Sequence, residues 1–190
     1  MNLKNIQLEK LPLIGVMINM IINENDLIFA KIKPDAKIPS KIDENAGYDI
    51  YPCFDERYIY IKPHETKLIP TGIASALSSK YYIQIEERGS NGSKGIKKSA
   101  GVIDSGYRGE WFVAITNTND IPVIIAKEGV TASEIFGDVC MKHIIYPYEK
   151  AIAQAIVHEV PKMNVYEISY DKLLTIKSER GTGKLGSSNK

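Results

Sequence analysis

Short runs of β-branched and aromatic residues dominate the chain after residue 26, and Gly, Pro and Asn stand between them. Residues 58–62 (YIYIK) show the alternation typical of a half-buried strand. Turn residues between such runs break the chain into many short strands. The pattern therefore predicts an all-β fold, a jelly-roll-like distorted β-barrel. The predicted strands are residues 27–32, 58–62, 67–69, 81–86, 111–116, 121–125 and 152–157.

The first 26 residues are predicted to be a short N-terminal extension. Their apolar part, residues 11–22, is too short for a membrane span of about 20 helical residues, and Pro12 and Gly15 interrupt it. Residues 23–26 are polar and offer no small-residue cleavage site. We therefore expect the extension to pack on the domain, with a secretory signal as the alternative interpretation and no membrane partner.

Two further segments depart from the strand pattern. Residues 127–148 are less strand-like, and Thr131 followed by Glu134 is typical of a helix-capping pair. We interpret this segment as an insertion, with a short helix, in a β domain of residues 27–179. Residues 180–190 are rich in Gly and Ser and are predicted to form a flexible C-terminal lid.

The charge balance excludes one class of partner. The chain has 24 Lys and Arg against 23 Asp and Glu, a net charge of +1, so no long-range attraction to a nucleic acid is expected. Cys53 and Cys140 lack the spacing of a zinc or redox motif, which favours a reducing, cytoplasmic location. The three histidines are scattered and predict no metal site. Any phosphate chemistry must depend on local groups.

Residues 88–95 (RGSNGSKG) could form such a local site. Glycines allow consecutive backbone N–H groups to point at an anion, and hydroxyls and cations add charge-assisted bonds. The spacing is not that of a P-loop, and an ordinary turn is the alternative for this segment alone. Residues 180–188 repeat the composition near the C-terminus, where a disordered tail is the alternative.

Two carboxylates are candidates for proton transfer. Asp104 lies between glycines in residues 101–109 (GVIDSGYRG), at the end of an apolar run and three residues before Tyr107. A carboxylate near phosphate-binding loops can orient and deprotonate a water molecule. Asp49, in residues 46–49 (AGYD), is the second candidate. Each Asp could instead serve only to stabilise a turn.

Taken in order, these segments resemble the five motifs of the trimeric dUTPase family. Residues 46–51 resemble the first motif, residues 88–95 the second, residues 101–110 the third and residues 180–188 the fifth. The third is the most specific match. The fourth is reduced to its last three residues, Ile-Ala-Gln at 152–154. The resemblance extends over most of the chain.

The resemblance implies a jelly-roll-like subunit and a homotrimer with active sites at the subunit interfaces. It implies hydrolysis of dUTP to dUMP and pyrophosphate through attack of water on the α-phosphorus. That reaction limits uracil incorporation into DNA and supplies dUMP for dTMP synthesis. It also implies Mg²⁺ that is bound by the triphosphate and water, with no direct protein ligand.

By the same resemblance, Asp104 activates the water and Asp49 supports the site through water and magnesium. Tyr107 lies against the deoxyribose and disfavours a 2′-hydroxyl. Backbone groups of a hairpin at residues 96–102 read uracil. The substrate-binding residues that the resemblance implies are Arg88, Gly89, Ser90, Asn91, Gly101, Val102, Ile103, Tyr107, Gln154, Arg180, Leu185, Gly186, Ser187 and Ser188.

The chain departs from the family pattern at three positions. Gly89 separates Arg88 from the serine that usually follows it directly. Leu185 stands where a phenylalanine usually covers the base, and Ala151 stands where an arginine often braces the site.

Three alternatives to a dUTPase remain. The first is a dCTP deaminase-like or bifunctional nucleotide enzyme; a dCTP deaminase shares the predicted fold, but Ala114 occupies the position of its catalytic carboxylate. A dUTPase-like regulatory protein would bind a partner through residues 127–148 or the N-terminal extension. The third alternative is a β-rich binding domain with no assigned ligand.

Overall fold

The computed structural model describes residues 21–184, and almost all of the regular structure in that range is β-strand. Most of the predicted N-terminal extension therefore lies outside the described residues. The strands are β1 Leu27–Lys31, β2 Tyr48–Ile50, β3 Tyr58–Ile61, β4 Thr66–Pro70, β5 Ile73–Leu77, β6 Tyr81–Glu86, β7 Ile96–Lys98, β8 Val102–Ile103, β9 Phe112–Asn117, β10 Val123–Ala126, β11 Ile144–Pro147 and β12 Ala153–Glu159. Three short helices accompany them: α1 Gly89–Gly92, α2 Ala132–Phe136 and α3 Tyr170–Leu174.

The strands form four small sheets around one core, in a jelly-roll-like β fold. Their orders are β1-β5, β11-β10-β3, β4-β9-β7 and β2-β12-β6-β8. Apolar side chains from all four sheets meet in a single cluster, in which Trp111, Ile83 and Ile61 are fully buried. Burial of this apolar surface is the main stabilising contribution.

The four-stranded sheet β2-β12-β6-β8 has one buried face and one half-exposed face. Along β6, Ile83 and Ile85 are buried, whereas Gln84 and Glu86 between and beyond them are not. Successive side chains of a strand point to opposite faces, so this alternation assigns the polar residues to the outer face. Gln154 on β12 lies directly opposite Glu86 and therefore shares that face.

All seven predicted strands are confirmed, with boundaries within two residues. Strands β2, β5, β7, β8 and β11 were missed. Most of these have only two to four residues, too few to show a period. β5 is longer, but its sequence (IASAL) has little β-propensity, and its pairing with β1 and burial determine its conformation.

The segment 127–148 contains both an expected and an unexpected element. α2 confirms the predicted helix, and the Thr131 hydroxyl accepts a hydrogen bond from the Glu134 amide at 3.2 Å. The unexpected element is β11, which pairs with β10 in parallel. Parallel neighbours require a crossover connection, and residues 127–143 supply it. Part of this segment is therefore integrated into a sheet.

The chain divides into two compact units, residues 1–160 and 161–190. In its described part the second unit contains only α3, whose Ser169 hydroxyl accepts a hydrogen bond from the Lys172 amide. Residues 21–184 include no helix of the length and apolarity that a bilayer span requires. A lid must move, and a single structure does not test movement. The interpretation of residues 180–190 as a lid therefore stays a prediction.

Candidate active site

Residues of the first, second and fourth motifs meet at one end of the sheet β2-β12-β6-β8. Gln154 on β12 lies opposite Asp49 on β2 and opposite Glu86 at the end of β6. Arg88 follows β6, and its Nε lies 3.4 Å from Oδ1 of Asp49. We call Asp49, Arg88, Asn91 and Gln154 the Arg88 cluster.

Side-chain to backbone hydrogen bonds fasten the two sequence segments of this cluster together. Arg88 Nη1 donates to the carbonyl of Ala151 at 3.2 Å, and Gln154 Nε2 donates to the carbonyl of Glu87 at 3.2 Å. The buried Asn91 donates to the carbonyl of Ile152 at 2.7 Å. These three bonds fix the position of the guanidinium relative to the carboxylate of Asp49.

The predicted phosphate loop is partly helical. Residues 89–92 form the single turn α1, in which the Arg88 carbonyl accepts from the amides of Asn91 and Gly92 at 2.8 and 3.0 Å. The first amides of such a turn have no partner within it and are available to an anion. Ser90 is exposed at the start of the turn, and Gly89 has open space around it. Binding of phosphate by Ser90 stays a prediction.

Glu87 supports this loop and was not identified from the sequence. Its carboxylate accepts from Lys97 Nζ at 3.0 Å and from the Lys98 amide at 3.2 Å. The bond from Lys97, followed by the bond from the Lys98 amide, lowers the pKa of Glu87 below its ordinary value. The sequence gives no signal for this role of Glu87, because its two partners, Lys97 and Lys98, lie on a different strand, β7.

The third motif forms a separate surface site after β8. The Asp104 carbonyl accepts from the Tyr107 amide at 3.0 Å, and Arg108 Nη1 donates to the carbonyl of Ser105 at 2.6 Å, so both bonds close the same turn. The side chain of Asp104 is exposed. A shallow cavity of about 220 Å³ is lined by Val102, Ile103, Asp104, Tyr107, Glu110 and Phe112.

The ring of Tyr107 is held in place beside this cavity. Its hydroxyl donates to the carbonyl of Glu110 at 3.0 Å, and the Glu110 carboxylate accepts from the Gly72 amide at 2.8 Å. A β-carbon at Gly109 would lie 2.5 Å from the tyrosine oxygen, so only glycine allows this ring position. The ring is 43% exposed and can therefore contact a ligand.

The prediction that residues 96–102 form a uracil-reading hairpin is wrong, because the two strands in this segment do not pair with each other. β7 pairs with β9, whereas β8 pairs with β6, so the two strands belong to different sheets. Gly101 is the reason that β8 can reach β6. Its carbonyl accepts from the Ile85 amide at 2.7 Å, and a β-carbon there would lie 2.6 Å from the Ile85 oxygen. Uracil binding by Gly101, Val102 and Ile103 stays a prediction.

One chain does not bring Asp104 to the Arg88 cluster. Ile103, the residue before Asp104, pairs with Ile83 of β6. Arg88 follows Ile83 by five residues toward the other end of the sheet, a distance of about 17 Å at 3.3 Å per residue. The two candidate sites therefore lie at opposite ends of β6.

The predicted lid lies only partly within the described residues. In the second unit, Arg180 Nε and Nη2 donate to the carbonyls of Gly183 and Lys184 at 3.4 and 3.3 Å. Leu185, Gly186, Ser187 and Ser188 lie outside the described residues.

A family model for dUTPase matches residues 35–189. The chain belongs to the dUTPase family. The deoxyuridine 5′-triphosphate nucleotidohydrolase of Nautilia profundicola is 31% identical to it, over 84% of this chain and 96% of the relative. The enzyme of that name from Mycobacterium marinum is 28% identical, over 86% of this chain and 95% of its own length.

Solved dUTPase structures share the fold. The Staphylococcus bacteriophage 80alpha dUTPase with dUPNHPP superposes with a TM-score of 0.68 at 22% identity, covering 87% of this chain and 99% of that one. The dUTPase of phage phi11 of S. aureus, described as coordinating a structural Mg(II) ion, superposes at 0.57 with 20% identity, covering 76% and 97%. In the described residues of this dUTPase family member, almost all of the regular secondary structure is likewise β-strand.

Within residues 21–184 of this dUTPase, no three His, Cys, Asp or Glu side chains are placed to hold a metal ion together. The carboxylate of Asp49, 36% exposed, is the acidic group within the Arg88 cluster. A single exposed carboxylate can accept hydrogen bonds from the water shell of a hydrated cation. The site thus fits a magnesium ion that arrives with its other ligands.

Proposed function

We propose that this chain is a dUTP diphosphatase, which hydrolyses dUTP to dUMP and pyrophosphate and thereby limits uracil incorporation into DNA. The observation that carries the proposal is the third-motif site, where an exposed carboxylate, Asp104, lies beside a fixed tyrosine ring on a shallow cavity. The reaction class agrees with the relatives, which are named deoxyuridine 5′-triphosphate nucleotidohydrolases.

In the proposed reaction Asp104 orients a water molecule and accepts its proton as the water attacks the α-phosphorus. A carboxylate exposed beside a cavity has the access to water that a general base needs. The ring of Tyr107 lies against the deoxyribose. Because its hydroxyl is bonded to the Glu110 carbonyl, the ring cannot easily move aside for a ribose 2′-hydroxyl.

The Arg88 cluster is proposed to bind the phosphates. A guanidinium forms charge-assisted hydrogen bonds with phosphate oxygens. Exchange of the Asp49 contact of Arg88 for phosphate contacts, with the Ala151 contact retained, would free Asp49 to face the metal's water shell. Gln154, the α1 amides and, from the tail, Arg180, Ser187 and Ser188 complete the proposed set.

We further propose that the active site is shared between chains of a homotrimer. Water attack at the α-phosphorus requires Asp104 within a few ångströms of phosphates that the Arg88 cluster holds. Within one chain these groups are about 17 Å apart along the sheet. A second copy must therefore supply Asp104, and closed symmetric assembly makes all sites equivalent.

Magnesium is the proposed metal cofactor. When bound with the triphosphate it would neutralise charge on the phosphate oxygens, and Asp49 would hold it through water. The free cysteines Cys53 and Cys140 agree with a location in the reducing cytoplasm, which we also propose.

The test is pyrophosphate release from dUTP, dCTP, dTTP and UTP, measured side by side with Mg²⁺. We expect dUTP to be strongly preferred, and comparable turnover of dUTP, dTTP and UTP would refute the proposal. Ammonia release from dCTP would indicate the deaminase instead. That alternative is disfavoured because position 114, in β9, carries an alanine and so offers no carboxylate for the proton transfers of deamination.

A further inference from the structure

Tyr146 is a buried tyrosine in β11, outside the segments that resemble the five motifs. Its side chain is 5% exposed, and its hydroxyl donates to the carbonyl of Ala151 at 2.6 Å. The same carbonyl accepts from Arg88 Nη1 at 3.2 Å. One carbonyl oxygen thus joins a buried phenol to the guanidinium of the Arg88 cluster.

We propose that Tyr146 is a positioning residue for the phosphate-binding guanidinium of Arg88, acting through the Ala151 carbonyl. The inference rests on the proposed function, because it assigns Arg88 to the triphosphate.

The geometry gives the hydroxyl this role. A peptide oxygen has two lone pairs. That of Ala151 accepts one hydrogen bond from the buried Tyr146 hydroxyl and a second from Arg88 in the site. The bond from Tyr146 fixes the direction in which the carbonyl points, and thereby the place where Arg88 can donate. At Ala151 the chain has no side chain that reaches the site, so the backbone oxygen is the group at this position that holds the guanidinium.

The surroundings of Tyr146 make its hydroxyl a rigid support. The strand that carries it pairs with β10, with Tyr146 opposite Ile125, and a turn closed by the Lys150 amide on the Pro147 carbonyl at 3.1 Å leads to Ala151. The next peptide is also fixed, because the Ile152 amide donates to the Ile50 carbonyl at 2.7 Å. Loss of the hydroxyl would therefore release one carbonyl without unfolding the turn.

The experiment compares the wild type with Tyr146→Phe, which removes the hydroxyl and keeps the ring. We expect the Kd for the non-hydrolysable analogue α,β-imido-dUTP and the KM for dUTP to rise about three- to tenfold, the range for loss of one hydrogen bond. The value of kcat should stay within about twofold, because Arg88 binds phosphate and does not accept the proton of the attacking water. Tyr148→Phe is the matched control, since Tyr148 packs against Phe54 and not on the cluster.

A double-mutant cycle separates positioning from general loss of structure. In an Arg88→Gln background, Tyr146→Phe should have no further effect on the Kd, because the group that Tyr146 positions is gone. Independent effects in that cycle, or a Tyr146→Phe enzyme with unchanged Kd and KM, would overturn the inference. Site-specific 4-aminophenylalanine at 146 keeps a donor and should restore wild-type affinity, whereas 4-chlorophenylalanine fills the space without donating and should not.

The two unnatural residues also decide the matter if Tyr146→Phe does not fold, because both preserve the packing volume. Equal affinity of the amino and chloro enzymes would then refute the role of the donor. A wild-type protein that hydrolyses no dUTP would instead refute the proposed function, and the analogue-binding comparison would still test the role of Tyr146.

Discussion

The guanidinium of Arg88 and the carboxylate of Asp49 form an ion pair, with Nε and Oδ1 separated by 3.4 Å. Both side chains are 36% exposed, so the pair is screened by water and contributes little to stability. In the proposed function, substrate phosphates would compete with Asp49 for the same guanidinium.

Asp49→Asn should lower kcat/KM for dUTP by about tenfold, because the proposed contact of this carboxylate with the metal's water shell is lost, and this loss outweighs the removal of a competitor for Arg88. The loss should decrease when Mg²⁺ is raised, because Asp49 acts on the metal through water. Steady-state kinetics across a magnesium titration measure both effects. A loss that is independent of magnesium would exclude this role.

Asp104→Asn keeps the size of the side chain and removes the base. Turnover should fall by about 10²–10⁴-fold, the usual contribution of general-base catalysis, while α,β-imido-dUTP still binds. Asp120→Asn is a suitable control, because Asp120 pairs with His64 on an exposed turn. Near-normal turnover in Asp104→Asn would show that another group accepts the proton.

Mixing of two inactive variants tests the shared site. Asp104→Asn and Arg88→Gln each disable one half, and a site formed by two chains is intact when each chain supplies its undamaged half. Random reassembly should restore about a quarter of wild-type turnover. Pyrophosphate release after co-refolding, compared with each variant refolded alone, measures this recovery. If Asp104 and Arg88 of one chain served the same site, no activity would return.

Deletion of residues 180–190 tests the lid. The described hydrogen bonds of Arg180 are to its own tail, and residues 161–184 supply none of the residues of the buried core cluster. The melting temperature and oligomeric state should stay nearly unchanged, whereas turnover should fall by orders of magnitude if the tail acts as the proposed lid, which would exclude water from the triphosphate. Thermal melting, size-exclusion chromatography and a pyrophosphate assay on one preparation would decide this, and a fully active truncated enzyme would exclude a lid.

Glu87 should contribute a pH-dependent part of the stability. Its pKa in the folded protein is lowered from 4.5, chiefly by Lys97, so folding favours the ionised form. That stabilisation is complete above the unfolded pKa and is lost as the pH falls through the lower folded pKa. The melting temperature of Glu87→Gln should lie below that of the wild type at neutral pH, and the two should converge in acid. Glu128→Gln, which changes an exposed side chain, should have the melting temperature of the wild type at both neutral and acidic pH.

The sequence was sufficient for the β class, seven of the twelve strands described and the capped helix at Thr131. Each of these is determined by local pattern: apolar and β-branched runs for the strands and a cap spacing for the helix. It was not sufficient for the sheet assignment of β7 and β8. Residues 96–102 read as one hairpin, whereas β8 pairs with β6, and Gly101 allows the close approach to Ile85 that this pairing requires. Long-range pairing of this kind leaves no periodic signal.

The site residues likewise divide into those that local motifs predict and those that depend on long-range contacts. Asp49, Arg88 and Gln154 were proposed from motifs, and the structure brings them together. Glu87 could not be found in this way, because its partners are a lysine and a backbone amide of another strand. Tyr146 could not be found either, because it acts through the backbone carbonyl of Ala151. A partner protein that binds residues 127–148 stays a prediction.

The parallel pairing of β10 with β11 limits how this chain could have changed in length. A short turn can join only antiparallel strands, so trimming residues 127–143 to a tight loop would make Ile144–Pro147 run the other way or leave the sheet. Either outcome would withdraw Tyr146 from Ala151. The crossover and its strand can therefore be gained or lost only as one piece, and a homologue that lacks the crossover must hold its phosphate-binding arginine by some other bond.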